Sequence, residues 1–213
     1  MTRIIIVRHG QSEANAKCAF AGHTDFELST LGIKQANATA KYVVEKYSID
    51  KIYTSDLSRA YGTALPISEM SGLPLITNSE LREIFAGKWE GGKFDTLVEK
   101  YSEDYSVWLK DIGNARPTDG ESVKEMSERV RRAVTEIAEE NDGRTVVIVS
   151  HGTPIRSLVS LFNGKDVSEM KNIPWVTNAS VTEVEYKDGA FTLIATGVDG
   201  HLSGFSSGLP ANV

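Results

Sequence analysis

Two histidines stand where apolar runs end. Ile4-Ile5-Ile6-Val7 gives way to Arg8-His9-Gly10, and Val146-Val147-Ile148-Val149 gives way to Ser150-His151-Gly152. Short runs of β-branched residues read as buried strands. If both belong to one parallel sheet, both imidazoles emerge along its C-terminal edge, where open α/β folds bind ligands. Arg8 brings a fixed positive charge to the same place. Arg59 falls in the first turns of a helix predicted after Ser55, where free amides and the helix dipole also favour anions. Glu83 follows a strand predicted over Leu73–Thr77 and offers a carboxyl group. Phosphoryl transfer asks for positive charge on the equatorial oxygens, an in-line nucleophile and an acid for the leaving oxygen. The set holds a candidate for each. One histidine at a strand end is more often structural; two of them with two arginines and a glutamate make a chemical reading the better one.

The elements that must position these groups alternate. Ile33, Ala36, Ala40, Val43, Val44 and Tyr47 recur at helical spacing, so residues 33–47 read as an amphipathic helix. Lys51 to Thr54 reads as a strand, with Ser55 or Asp56 as N-cap of a helix running to about Met70, and Gly72 closing it. Ser122-Val123-Lys124-Glu125 has the capping-box pattern and opens a helix with Val123, Met126, Val130, Val134 and Ile137 on one face. Thr153-Pro154 opens the helix behind His151, and Gly164 stops it. Two last strands, about Val181–Tyr186 and Phe191–Thr196, flank the hairpin signal Lys187-Asp188-Gly189. This order predicts an α/β protein, a three-layer α/β/α sandwich with a mostly parallel sheet and an antiparallel edge hairpin. Residues 85–120 break the alternation and carry Trp89, Tyr101, Tyr105 and Trp108, so they are expected to form a helical insertion over the active-site edge, its aromatics forming lid core. Residues 197–213, rich in Gly and Ser, are expected to be a loose tail or a flap.

Composition sets the bounds. With 213 residues, 40% hydrophobic and 24% charged, the chain has the makeup of an ordinary globular protein, expected to be a single domain over 1–213. A net charge of -6 disfavours nucleic acid and anionic membrane as partners, and no apolar run approaches a membrane span. Cys18, the one cysteine, excludes an intramolecular disulfide and reads as a small apolar filler or an idle thiol. A cytoplasmic location is the expectation.

Arg8-His9-Gly10-Gln11-Ser12, followed by Asn15, resembles the signature of the histidine phosphatase superfamily, the phosphoglycerate mutase-like fold. The likeness continues in the family's order through Asp25 to Ala36, Ser55 to Ala64, Leu81 to Gly91, Gly120-Glu121-Ser122 and Ser150-His151-Gly152. Each segment alone is weak; six in order are specific. The resemblance implies that His9 is the nucleophile and forms a phosphohistidine, with its other ring N–H held by an acceptor such as a backbone carbonyl. Arg8, Arg59 and His151 would clamp the phosphate, His151 charged or at least donating, and Asn15 would add a neutral donor. Glu83 would protonate the leaving alkoxide and then take a proton from the hydrolytic water, which calls for a raised pKa. Ser122 reads as a helix cap only, while Asp25, Leu28, Gly32 and Gln35 would fix loop-to-helix geometry. Gln11 stands where the family often has glutamate, removing a negative charge near the phosphate.

The expected activity is phosphomonoester hydrolysis on a small phosphorylated metabolite, with no cofactor and no metal. Sugar phosphates, phosphoglycerates and ribazole phosphate are all candidates, and neither substrate nor oligomeric state follows from the sequence. The rival within the family is a phosphoglycerate mutase, but Leu81–Gly91 runs directly into Gly92–Leu97, which looks like the phosphatase branch. A metal site from His9, His151 and Glu83 is disfavoured by Arg8 and Arg59 beside it. A non-catalytic phosphate-binding module is the remaining alternative.

Overall fold

The computed structural model describes residues 1–207. Its centre is a six-stranded sheet in the order β3-β2-β4-β1-β5-β6, built from β1 (Thr2–Arg8), β2 (Lys51–Thr54), β3 (Leu75–Thr77), β4 (Thr145–Ser150), β5 (Val181–Lys187) and β6 (Ala190–Val198). The first four strands run parallel; β5 and β6 are antiparallel additions, β5 pairing with β1. Asp188 and Gly189 both have positive φ, 51° and 80°, as the tight turn between β5 and β6 requires.

Helices cover both faces: α1 (Glu13–Ala16), α2 (Thr30–Lys46), α3 (Ser58–Ser71), α4 (Phe94–Lys100), α5 (Ser102–Lys110), α6 (Val123–Glu140) and α7 (Gly152–Phe162). Alternation along β1 divides the core. Ile4 and Ile6 pack with α6, α7 and the insertion, while Ile5 and Val7 pack with α2 and α3. That division is the three-layer sandwich the pattern predicts. The insertion forms α4 and α5 between 3₁₀ turns at Gly87–Trp89 and Ile112–Asn114. Trp89, Tyr105 and Trp108 are buried and join the first core, so they are lid core as expected.

Two local expectations need correction. Neither Ser55 nor Asp56 caps α3: the cap residue is Leu57, and the carboxylate of Asp25 instead accepts from the Ser58 N–H and hydroxyl, both at 2.7 Å. Asp56 is drawn away by Arg82, which pairs with it through two bonds. The chain after β6 is not loose as far as Ser207. Leu202 is buried, His201 stacks on Tyr42 with ring centroids 4.5 Å apart, and Gln35 of α2 donates to the Phe205 carbonyl at 2.7 Å. The expectation for residues 208–213 lies outside the described residues. Cys18 is exposed with φ 53°, the thiol of the two readings rather than the filler.

Candidate active site

Sheet register brings the two histidines together. Arg8 pairs with Ser150 at the last rung of the β1–β4 ladder, so His9 and His151 both leave the sheet at the next residue. Their ring centroids are 5.1 Å apart. Gly10 and Gly32 allow the chain to turn there. A Cβ on Gly10 would lie 2.6 Å from the Gly32 carbonyl oxygen, and one on Gly32 would lie 2.0 Å from that of Gln11. The start of α2 therefore packs directly against the backbone that carries His9.

His9 is buried, and its Nδ1 meets the Gly10 carbonyl oxygen at 2.6 Å. A carbonyl can only accept, so the proton sits on Nδ1 and the Nε2 lone pair is free. Burial first, then the charges of Arg59 and Arg8, push the His9 pKa well below its ordinary value, although the Gly10 contact pulls the other way. His9 is thus a neutral imidazole with its nucleophilic nitrogen available.

The arginines are held by carbonyls rather than by carboxylates. Arg8 donates through Nη1 to Val176 O, and Arg59 donates to Gly22 O at 2.7 Å and to Thr24 O at 3.1 Å. Burial lowers both pKa values, that of Arg8 to about 10, which leaves it charged at neutral pH. Arg8 Nε and Arg59 Nε are buried with no hydrogen-bond partner among the described residues, and so is His151 Nδ1. Buried donors are rarely left unpaired, so Arg8 Nε–H and Arg59 Nε–H, on two residues of the cavity wall, are available to acceptors; His151 Nδ1 joins them only in the tautomer that protonates it.

His151 is wholly buried and meets Ser55 Oγ through Nε2 at 2.8 Å. Burial first and then Arg59 push its pKa well below the ordinary value. Of the two forms expected of His151, charged or at least donating, burial favours the neutral one, which donates through whichever ring nitrogen carries the proton. Glu83 accepts from Ile84 N–H at 2.9 Å and, through its other oxygen, from Thr153 N–H at 3.3 Å, at the start of α7. Its loop is anchored by Arg129 of α6, which donates to the carbonyls of Glu80, Arg82 and Glu83 and pairs with Glu121 at 2.9 Å. His23 Nε2 adds a bond to the Glu83 carbonyl at 2.8 Å. Glu121 thus explains its segment's place in the pattern, and Ser122 is the capping-box residue expected.

Asn15 serves two ends. Its Oδ1 accepts from Ser12 N–H, from Ser12 Oγ and from Asn178 Nδ2, at 3.1, 3.0 and 3.2 Å. Three donors on one oxygen fix the amide, leaving Nδ2 open on the cavity wall. Asn178, just before β5, also donates to the His9 carbonyl at 3.1 Å and accepts from Ser207 Oγ at 3.3 Å. Sequence reasoning missed Asn178, since a single asparagine ahead of a strand carries no periodic or spacing signal. Gln11 Oε1 accepts from the Ser29 hydroxyl at 2.8 Å, which turns its side chain to the start of α2.

Arg8, His9, Asn15, Arg59 and Glu83 line one cavity of about 70 Å³ together with Phe20, Phe94, Trp108 and Trp175; His151 is not on its wall, although its ring lies 5.1 Å from that of His9. A groove of about 630 Å³ between α2 and α3 is larger but carries none of these groups. Among the described residues no group of three or more His, Cys, Asp or Glu is arranged to hold a metal ion, and no helix is long and apolar enough to cross a membrane.

Comparison with known proteins bears on this arrangement. Residues 4–199 match the family model of the histidine phosphatase superfamily, branch 1. A relative described as putative phosphoserine phosphatase 2 of Hydrogenobacter thermophilus is 35% identical over 91% of this chain and 94% of that protein. Among solved structures, Bacillus stearothermophilus YhfR superposes with a TM-score of 0.90 at 27% identity, over 95% of this chain and 100% of that one. A mycobacterial glucosyl-3-phosphoglycerate phosphatase in complex with VO3 gives 0.85 at 30% identity, over 92% and 99%.

Proposed function

The chain belongs to the histidine phosphatase superfamily, and we propose that it hydrolyses small phosphomonoesters with His9 as the residue that carries the phosphoryl group. The observation that carries this reading is the neutral His9, its Nδ1 proton fixed on the Gly10 carbonyl, beside the buried and unpaired Nε–H donors of Arg8 and Arg59. Arg8 and Arg59 offer those donors to the equatorial oxygens, His151 adds one in its Nδ1–H tautomer, and Asn15 Nδ2 adds another. His9 Nε2 attacks phosphorus; the P–O ester bond breaks as the N–P bond forms. Glu83 gives its proton to the departing alkoxide. In the second half Glu83 takes a proton from water, whose oxygen displaces His9 and releases inorganic phosphate. No metal is called on in this scheme: the two buried guanidinium groups supply the charge that a cation would.

The relatives' names place esters such as phosphoserine and glucosyl-3-phosphoglycerate within the range to be tested, and small phosphorylated metabolites are the substrate class. The test is phosphate release from a panel of such esters with EDTA present, together with interconversion of 3- and 2-phosphoglycerate. Release that outruns interconversion supports the hydrolase. Wild-type protein quenched during turnover should carry an acid-labile, base-stable phosphoryl label, and His9→Ala should carry none while keeping its fold. A His9→Ala protein that still turns over at the wild-type rate would refute the mechanism.

A further inference from the structure

Ser55 is wholly buried one residue beyond the end of β2, and its backbone N–H donates to the Val149 carbonyl at 3.0 Å. β2 pairs with β4 through Thr54 and Val149, so Ser55 leaves the sheet at the same edge as His151. Its hydroxyl does not cap α3. The Oγ lies 2.8 Å from His151 Nε2 and accepts from the Leu57 N–H at 3.3 Å. One proton lies between Ser55 and His151, and either group has the chemistry to own it.

The hydrogen-bond inventory of the buried groups decides which one does. If His151 Nε2–H donated to Ser55, the hydroxyl proton would need another acceptor, and none is within reach among the described residues. A buried O–H would be left unpaired, at a cost of about 1–3 kcal/mol. If Ser55 donates to Nε2 instead, the hydroxyl is satisfied and keeps its bond from Leu57. The ring is neutral, because burial first and then Arg59, His9, His23 and Arg8 all act against a charge on it. Its single proton then stands on Nδ1, an atom that is itself buried without a partner among the described residues. The two histidines are thus anchored through opposite nitrogens. His9 gives its Nδ1 proton to the Gly10 carbonyl and frees Nε2, while His151 is held at Nε2 and frees Nδ1–H.

We propose that Ser55 is a positioning residue that holds His151 as the Nδ1–H tautomer, so that this ring donates to the phosphoryl oxygens. The proposal rests on the phosphomonoesterase reading above. In the other tautomer His151 would turn a lone pair toward those oxygens and repel the charge that builds on them in the transition state.

Nitrogen-15 spectra of the free protein near neutral pH read the tautomer directly, the His151 signals being assigned by their absence in His151→Gln. The wild type should show His151 as Nδ1–H, and Ser55→Ala, which has no hydroxyl to give, should lose that single form. An Nε2–H ring in the wild type overturns the proposal, leaves the phosphomonoesterase reading intact and requires no variant to fold. A double-mutant cycle on kcat/KM for a small alkyl phosphate is the second readout, with each variant checked by circular dichroism. Ser55→Ala should lower kcat/KM at least about tenfold, less than the roughly 10²–10³ lost when such a donor is removed outright. In a His151→Ala background the same change should cost less than about threefold, because the donor that Ser55 orients is gone. A folded Ser55→Ala protein with wild-type kcat/KM, or an equal loss in both backgrounds, overturns the proposal. If the wild type hydrolyses no ester, the phosphomonoesterase reading falls and takes the role of Ser55 with it.

Discussion

Lowering the pH from roughly 7.5 to 5.5 should cost the fold up to about 3 kcal/mol through His9 and His151 alone. Both are buried and both have pKa values held well below 6.5, by burial first and then by the charge of Arg59. Arg8 also lowers both, and His9, its ring 5.1 Å away, further lowers that of His151. Glu83 is the one carboxylate on the cavity wall. In the unfolded chain each imidazole takes up a proton as pH falls through 6.5; in the fold it does not. The unfolded state then binds more protons, so stability falls with pH, and what is present above 6.5 is lost below it. A group that stays wholly neutral in the fold down to pH 5.5 loses about one pKa unit's worth of free energy over that interval, so two lose up to about 3 kcal/mol. His201, half-buried with its pKa also lowered by burial, contributes in the same direction to a lesser extent. The assay is urea unfolding at pH 7.5, 6.5 and 5.5 for wild type, His9→Gln, His151→Gln and the double variant. Each single variant should lose about half as much as wild type over the range, and the double variant least. Nitrogen-15 spectra of the histidine rings at pH 6 should show His9 as the neutral Nδ1–H tautomer. Stability that is flat between 7.5 and 5.5, or a His9 ring that titrates near 6.5, would refute the account.

Glu83→Gln should slow an alkyl phosphate at least tenfold more than an aryl phosphate, because an aryloxide leaves without a proton; equal losses on the two esters would remove Glu83 from the acid role. Asn178→Asp places a carboxylate where Nδ2 now donates to the His9 carbonyl and Asn15 Oδ1. The kcat/KM should fall roughly 5- to 150-fold, the cost of a buried group left unpaired. In an Asn15→Ala background the same change should cost markedly less, since part of its effect runs through Asn15; strict additivity would show that Asn178 acts on the fold alone. Gly32→Ala should destabilise the protein by several kcal/mol and depress activity with it, because its Cβ would sit 2.0 Å from the Gln11 carbonyl oxygen. Thermal melting checks this, and a Tm within a degree of wild type would show that the approach of α2 to the His9 segment is looser than described.

The chemistry-bearing residues were legible because each sits at a boundary that the chain itself marks. His9 and His151 follow runs of β-branched residues, and parallel strands must deliver their C-terminal ends to one edge. The capping box at Ser122, the glycine stop at Gly72 and the Asp188-Gly189 turn are equally local, and all three stand as read. What depends on groups distant in the chain was not legible. The cap of α3 comes from Asp25, 33 residues earlier, and the nearby Asp56 is claimed by Arg82. Nothing in the Ser55–Ser58 segment encodes that competition. Asn178 lies 163 residues from Asn15, and Ser207 is bonded to it from beyond β6, so the fixed orientation of the Asn15 amide exists only once β5 has paired with β1. The protonation state of His151 is of the same kind. Its residue type admits either form, and burial beside Arg59 decides for the neutral one, because desolvation and a neighbouring positive charge are properties of the packed site. Residue order by itself determined which groups could do phosphoryl chemistry and at which edge they gather. Tertiary packing decided how they are charged, how they are aimed and what surrounds them, since those depend on distances that only the closed fold sets.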